Sequence, residues 1–309
     1  MSLDPAYLAY PRRRLGYDHD LYDWSNIHAR PPVRWPGGRP VAVWPCIVAE
    51  FFPLTPSDRP FRAPGHMQTP FPDYRHYTAR DYGNRIGIHR LLDALGARGI
   101  RGSVAMNVAV AERCPALLDA VSAGGHELVA YARTMNDGID SSLAAEEEEA
   151  IIADTRRRWQ ALGRAPSGWR SVARSQSWRT ADLLLAHGFS WMADWPNDEL
   201  PYRFRNGIIN LPLNHELSDR QIILVAQASA EGWAEQIADA AEWLAAEAAR
   251  QGSGRLLPLE LTPYVLGLPY RIGALEALID RLLARGDCWF APGGTIVAEW
   301  ERQQPSPPA

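Results

Sequence analysis

Apolar and polar positions fall in blocks along this chain. The clearest block is 41–52, VAVWPCIVAEFF, apolar until Glu50 and preceded by the turn Pro36-Gly37-Gly38-Arg39-Pro40. A short apolar run bounded by turn residues reads as a strand buried on both faces. The same plan recurs downstream: apolar strand, polar residue at its exit, loop, amphipathic helix. Further strands are predicted over 102–106 ending at Asn107, 126–130 ending at Tyr131, 168–171, and 189–193 running out at Asp194-Trp195. Others follow over 208–213 exiting at Asn214, 256–261 with Glu260 near its end, and 288–291. The 3.6-residue period predicts helices over 82–98, 143–162, 180–187, 232–250, 271–285 and 295–303, and one through Leu117, Leu118 and Val121. The first is capped by Asp81 and turns Ile86, Leu91, Leu92 and Leu95 inward; the second is capped by Ser141 or Ser142. Its glutamate run, Glu146 to Glu149, is a solvated face near a helix start.

Strands alternating with helices indicate a parallel sheet covered by helices. The predicted fold is a distorted (β/α) barrel of about seven strands, a spacing that suits closure better than an open sheet. It occupies 41–303 as one domain, with an aromatic-rich arm over 1–40 wrapping it and a disordered tail at 304–309. The stretch 52–79 carries six prolines and little periodicity, which reads as a lid or binding loop.

Composition narrows the chemistry. The net charge of −4 and pI near 6.1 imply no basic face and no nucleic-acid partner. Neither a signal peptide nor a membrane-length apolar run is present, and Cys46, Cys114 and Cys288 are spaced without CxxC pairing. Together these point to the cytoplasm, with the cysteines as small buried hydrophobes. The aromatic arm suits a contact between copies in a homo-oligomer. The chain contains no lysine, which excludes Schiff-base, pyridoxal-phosphate and Walker-lysine chemistry and a carbamylated-lysine metal bridge. No GxGxxG opens a helix and no GxSxG or HExxH occurs, so no cofactor is implied.

The residues at the strand exits carry the candidate chemistry. In a barrel they converge on one mouth although distant in sequence. Glu50, beside Phe51, Phe52 and Trp44, is the candidate general base, with Tyr131 and Arg170 completing the catalytic set. Arg133 and Arg174, planar forked donors, suit carboxylates or ureido carbonyls. Asn107, Asp194, Trp195, Asp198, Glu216, Glu260 and Thr262 are the further substrate-binding candidates. The competing reading makes Glu50 a structural ion-pair partner, and pairs the arginines with Glu216, Glu260 or Asp198. No metal is expected: only His66, His76 and His215 fall in mouth-side loops, and His126 starts its strand at the wrong end.

At these residues the chain resembles the polysaccharide deacetylase (NodB-homology) superfamily, most closely its allantoinase-like branch. The matching stretches include RWPGGRPVAVW, GHELVAYARTMN, GWRSVARSQSWRTADLLLAHGF, ADWPNDELPY and LTPYVLGLPYRI. The resemblance implies a distorted β/α barrel and hydrolysis of a non-peptide C–N bond. Three departures qualify it. After strand one only Glu50 stands as an acid, followed by Phe51; Tyr131 stands where the superfamily has a histidine; and Leu261-Thr262-Pro263 replaces Leu-His-Pro. Those histidines hold a metal or act as general acid in the deacetylases, so neither role transfers. The resulting expectation is a metal-independent hydrolase of an amide, imide or ureide in a small anionic molecule. The alternatives are non-hydrolytic chemistry in the same pocket, such as decarboxylation or isomerisation, and a catalytically dead binding protein.

Overall fold

A computed structural model describes residues 18–55 and 70–304. Among them, nine strands form one sheet: β1 Val41–Ala49, β2 Ser103–Met106, β3 Glu127–Ala130, β4 Gly168–Trp169, β5 Trp191–Met192, β6 Tyr202–Arg203, β7 Ile209–Asn210, β8 Arg255–Leu261 and β9 Cys288–Phe290. The order is β6-β7-β5-β4-β3-β2-β1-β8, with β9 on β1. All pairs are parallel except β6–β7. Every residue of β1 and β8 is buried, as strands covered on both faces require.

The strand ladder curls but does not close. Its ends are β6 and β8, and the seam is crossed by the Leu256 amide donating to the Glu199 carbonyl at 2.9 Å. The barrel is therefore distorted, as expected, and open rather than continuous. Its interior is filled by indoles: Trp44 and Trp191 meet edge to face at 6.0 Å, and Trp44 Nε1 donates to Ser103 Oγ at 2.9 Å. Gly168 is dictated by this packing, since a Cβ there would lie 2.2 Å from the Trp191 ring.

Several local expectations are corrected. The helix predicted over 82–98 starts earlier, at Tyr74, capped by Asp73 rather than Asp81, and runs as Tyr74–Tyr82, a π-turn Gly83–Gly87, and Ile88–Gly96. The π-turn inserts a residue and shifts the helical phase, so Ile86, expected inward, is 43% exposed. The helix Ala145–Ala161 takes Ala144 at its cap position, not a serine, because Asp140 has already engaged the Ser142 amide and hydroxyl. Of its glutamate run, expected to be solvated, Glu148 is instead fully buried, accepting from Ser177, Arg179 and Thr180 across the helix contact. The antiparallel β6 was not anticipated; two residues carry too little pattern to read. Cys46 and Cys288 are buried, whereas Cys114 is exposed at the junction between Val108–Arg113 and Pro115–Ala123.

Of the N-terminal stretch, residues 18–40 are described and 1–17 lie outside. Trp35 is buried against the domain, stacking on Trp289 at 5.7 Å and donating to the Arg255 carbonyl at 2.8 Å. Most of the proline-rich loop and His66 lie outside the described residues, as does 305–309 of the expected tail. No helix among the described residues is long and apolar enough to cross a membrane.

Candidate active site

The exit residues are pinned by backbone bonds that continue the ladder past the regular strands. Asn107 donates to the Ala49 carbonyl at 3.0 Å, Tyr131 to Met106 at 3.2 Å, Arg170 to Ala130 at 2.8 Å, and Ala193 to Trp169 at 3.0 Å. Because parallel strands start and stop in register, their exits form one rim.

Glu50, 3% exposed, sits at the centre of that rim. Its Oε1 accepts from Arg220 at 2.6 Å and from the Tyr131 hydroxyl at 3.0 Å, while Oε2 accepts from the Tyr264 hydroxyl at 3.1 Å. Its backbone carbonyl accepts from Asn84 Nδ2 at 2.7 Å, fixing the strand end to the π-turn. A carboxylate accepts about four hydrogen bonds, so Oε2 keeps capacity for one more. A cavity of about 10 Å³, near the size of one water, is lined by Glu50, Phe52, Arg80 and Asn84.

Glu260 forms the second half. It faces Arg170 at 2.8 Å, Arg174 at 3.6 Å and Arg220 at 3.8 Å. Burial opposes its charge, but Arg170, Arg220 and Arg174 override that and hold the carboxyl down to about 2. Arg220 thus bridges both glutamates. It is positioned in turn by Thr262, whose hydroxyl accepts from Arg220 Nε at 3.0 Å. Thr262 donates its amide and hydroxyl to Asp219 at 2.6 and 2.8 Å. Burial pushes Asp219 up to about 7 against the nearby Arg220 charge.

Two further features mark the rim. Among the described residues, the non-glycine positions with positive φ are Ala132, Ala173, Arg174 and Gln227; the first lies two residues past β3, and the next two lie in the turn Val172–Arg174 beyond β4. Left-handed backbone at such residues costs on the order of 1 kcal/mol or more and collects at functional sites. Arg170 Nε and Nη1 and Arg174 Nη1 are buried without a hydrogen-bond acceptor. Arg170, Arg174 and Arg220 are thus gathered around Glu50 and Glu260, with Asp219 and Asp194 buried at the edge of the cluster.

The predicted residues separate into groups. Glu50, Tyr131, Arg170, Arg174, Glu260 and Thr262 come together. Asp194 lies one contact away, accepting from the Ser171 amide at 2.8 Å, the Ser171 hydroxyl at 2.9 Å, and Gln176; burial raises it to about 6. Trp195 borders the adjoining cleft and donates to Gln176 Oε1 at 2.7 Å. Asn107 spends its amide on backbone, accepting from the Phe51 amide at 2.8 Å and donating to the Tyr131 carbonyl. Arg133 and Glu216 are exposed, and Asp198 is held by Arg30 at 2.7 Å, so these three are not gathered at Glu50. Arg174 meets His215 at the rim, while His76 is buried in the helix Tyr74–Tyr82, 6.2 Å from Phe52.

Sequence reasoning missed Arg220, Asp219 and Tyr264. All three sit just beyond expected strand exits, in LSDRQ and LTPY, but a polar residue in a helical turn carries no signal of facing a barrel mouth. Arg80, 2% exposed and 4.4 Å over the Phe52 ring, was also missed.

The donor set does not fit a divalent metal. Among the described residues no group of three or more His, Cys, Asp or Glu surrounds a common point. Glu50 and Glu260 are instead occupied by guanidiniums, whose charge repels a second cation.

With this geometry in place, comparison with solved structures is informative. Puue allantoinase superposes with a TM-score of 0.80 at 22% identity, covering 92% of this chain and 100% of that one. A probable polysaccharide deacetylase from Pseudomonas aeruginosa PAO1 gives 0.79 at 22%, covering 89% and 96%. A Mycobacterium smegmatis protein named for the same activity gives 0.75 at 21%, covering 91% and 96%. No protein-family model and no curated protein matches the sequence. The chain therefore has the fold of the polysaccharide deacetylases and of allantoinase, a curled β/α half-barrel with its exits gathered around Glu50.

Proposed function

We propose that this chain is a deacetylase-like hydrolase of a non-peptide C–N bond in a small anionic molecule, working without a metal. The observation that carries the reading is Glu50: a carboxylate at the focus of the rim, beside a water-sized cavity, with Oε2 only partly engaged. In this scheme Glu50 takes a proton from water as the oxygen attacks the carbonyl carbon, and returns it to the nitrogen as the C–N bond breaks and the amine leaves. Tyr131 and Tyr264, whose hydroxyls burial keeps protonated, turn from Glu50 to donate to charge developing on the carbonyl oxygen. Arg170, Arg174 and Arg220 hold the anionic part of the substrate. Binding of that anion draws Arg220 from Glu50 and releases Oε1 for proton transfer.

The reading draws on the fold shared with allantoinase and the deacetylases and on the arginines gathered at the rim. The direct contact of Arg220 with Glu50 favours a second one, a binding or non-hydrolytic protein in which that pair stays closed. Screening small cyclic ureides, imides and amidated acids for turnover separates them. Glu50→Gln is expected to lower kcat by roughly a hundredfold or more with the fold retained, and chelators to leave activity intact. Undiminished turnover in that variant removes Glu50 from the base role, and zinc-restored loss after chelation removes the metal-free scheme.

A further inference from the structure

Beside the rim, Arg174 opens onto a cleft of about 370 Å³ shared with Tyr22, Gln176, Trp195, Asn197 and Asp194, whose carboxylate is taken up by Ser171 and Gln176. Tyr22 reaches it from the N-terminal stretch, which is tied down by the Arg205 amide donating to the Leu21 carbonyl at 2.8 Å. The two rings meet edge to face at 5.6 Å and 87°. Their polar ends are already engaged: Trp195 Nε1 donates to Gln176, and the Tyr22 hydroxyl accepts from Asn197 Nδ2 at 2.9 Å. What the rings offer a ligand is therefore π surface, with the Tyr22 hydroxyl proton beside it. Arg174 supplies the charge. Its backbone is held at φ +56° directly after Ala173, also at +56°, and its Nη1 has no hydrogen-bond acceptor. Nη1 is buried towards Glu260 at 3.6 Å and Nη2 meets His215, so the guanidinium borders the cleft from strained backbone beside an aromatic corner, a recognition arrangement.

We infer that this cleft binds a planar aromatic or heteroaromatic carboxylate, its ring against Trp195 and Tyr22 and its carboxylate on Arg174. That this ligand is the substrate, placing its C–N bond at Glu50, rests on the hydrolase reading; the binding itself does not. It accounts for a feature that the hydrolase reading leaves aside, the contribution of Tyr22 from a distant segment.

The test is equilibrium binding by calorimetry and tryptophan fluorescence, with benzoate, cyclohexanecarboxylate and acetate as probes. Benzoate is expected to bind roughly tenfold more tightly than cyclohexanecarboxylate, which has equal charge and similar size but no π face. Trp195→Leu is expected to erase that preference and Trp195→Phe to retain it, while Arg174→Gln weakens all three by roughly tenfold or more. Equal affinity for benzoate and cyclohexanecarboxylate, or no binding of either by the wild-type chain, overturns the inference whether or not the variants fold. Because no turnover is read, a failure here leaves the role of Glu50 standing, and an inactive Glu50 leaves the cleft standing.

Discussion

The two ends of the barrel both hold glutamates, half-buried Glu127 at one and fully buried Glu50 and Glu260 at the other, and they satisfy them in opposite ways. At the end where the strands begin, Glu127 accepts from Ser103 Oγ at 2.6 Å and from the Gly294 amide at 3.0 Å, capping the helix Gly293–Arg302. Its partners are neutral donors. At the exit end, Glu50 and Glu260 are held by Arg170, Arg174 and Arg220, with guanidinium nitrogens left over and left-handed backbone at Ala132, Ala173 and Arg174. A carboxylate that only braces the fold needs donors in the number it can accept. At the exit end the donors are charged and some guanidinium nitrogens find no acceptor although the carboxylates have capacity left, and that mismatch separates a binding mouth from a structural cap.

The strongest way to break the contrast is at its bridge. Arg220→Met leaves Glu50 and Glu260 buried with fewer cations, and is expected to cost about 3–5 kcal/mol in urea unfolding. A change within about 0.5 kcal/mol would mean the exit-end pairs are as replaceable as surface ones. The next largest effect comes from packing. A Cβ on Gly87 would lie 2.1 Å from the Pro263 carbonyl oxygen, in the short helix Pro263–Leu266 that presents Tyr264 to Glu50. Gly87→Ala is expected to cost about 1–3 kcal/mol and to weaken carboxylate binding at the mouth. Unchanged stability by thermal unfolding would show that this packing is loose.

The smallest effect sharpens the comparison through pH. Glu260 is depressed from 4.5 to about 2, its burial outweighed by the arginines. As pH falls the unfolded state takes up that proton first, so its contribution is full above 4.5 and lost on the way down towards 2. Glu127 is raised by burial, more than its hydrogen bonds to Gly294 and Ser103 offset. Its contribution is present below the ordinary value and lost as pH rises through the folded one. Stability measured between pH 3 and 7 should therefore lose its acid-side slope in Glu260→Gln and its opposing slope in Glu127→Gln. The same slope change in both variants would abolish the distinction between the two ends.

The chain's own pattern determined the β/α alternation, because strands buried on both faces must be apolar and their exits polar. Glu50, Tyr131, Arg170, Arg174, Glu260 and Thr262 were legible for that reason: each ends, or stands just beyond, a predicted strand. Tertiary structure decided the rest. Whether an exposed-looking arginine turns outward like Arg133 or belongs to a turn that folds inward like Arg220 depends on the path of the loop, which local propensity does not encode. The same holds for Asn107, polar at an exit yet spent on backbone, and for Tyr22, whose place beside Trp195 is set by a segment far away in the chain. Strand burial is a local property repeated along the sequence; the pairing of charges across a rim is a property of distances that only the folded chain possesses.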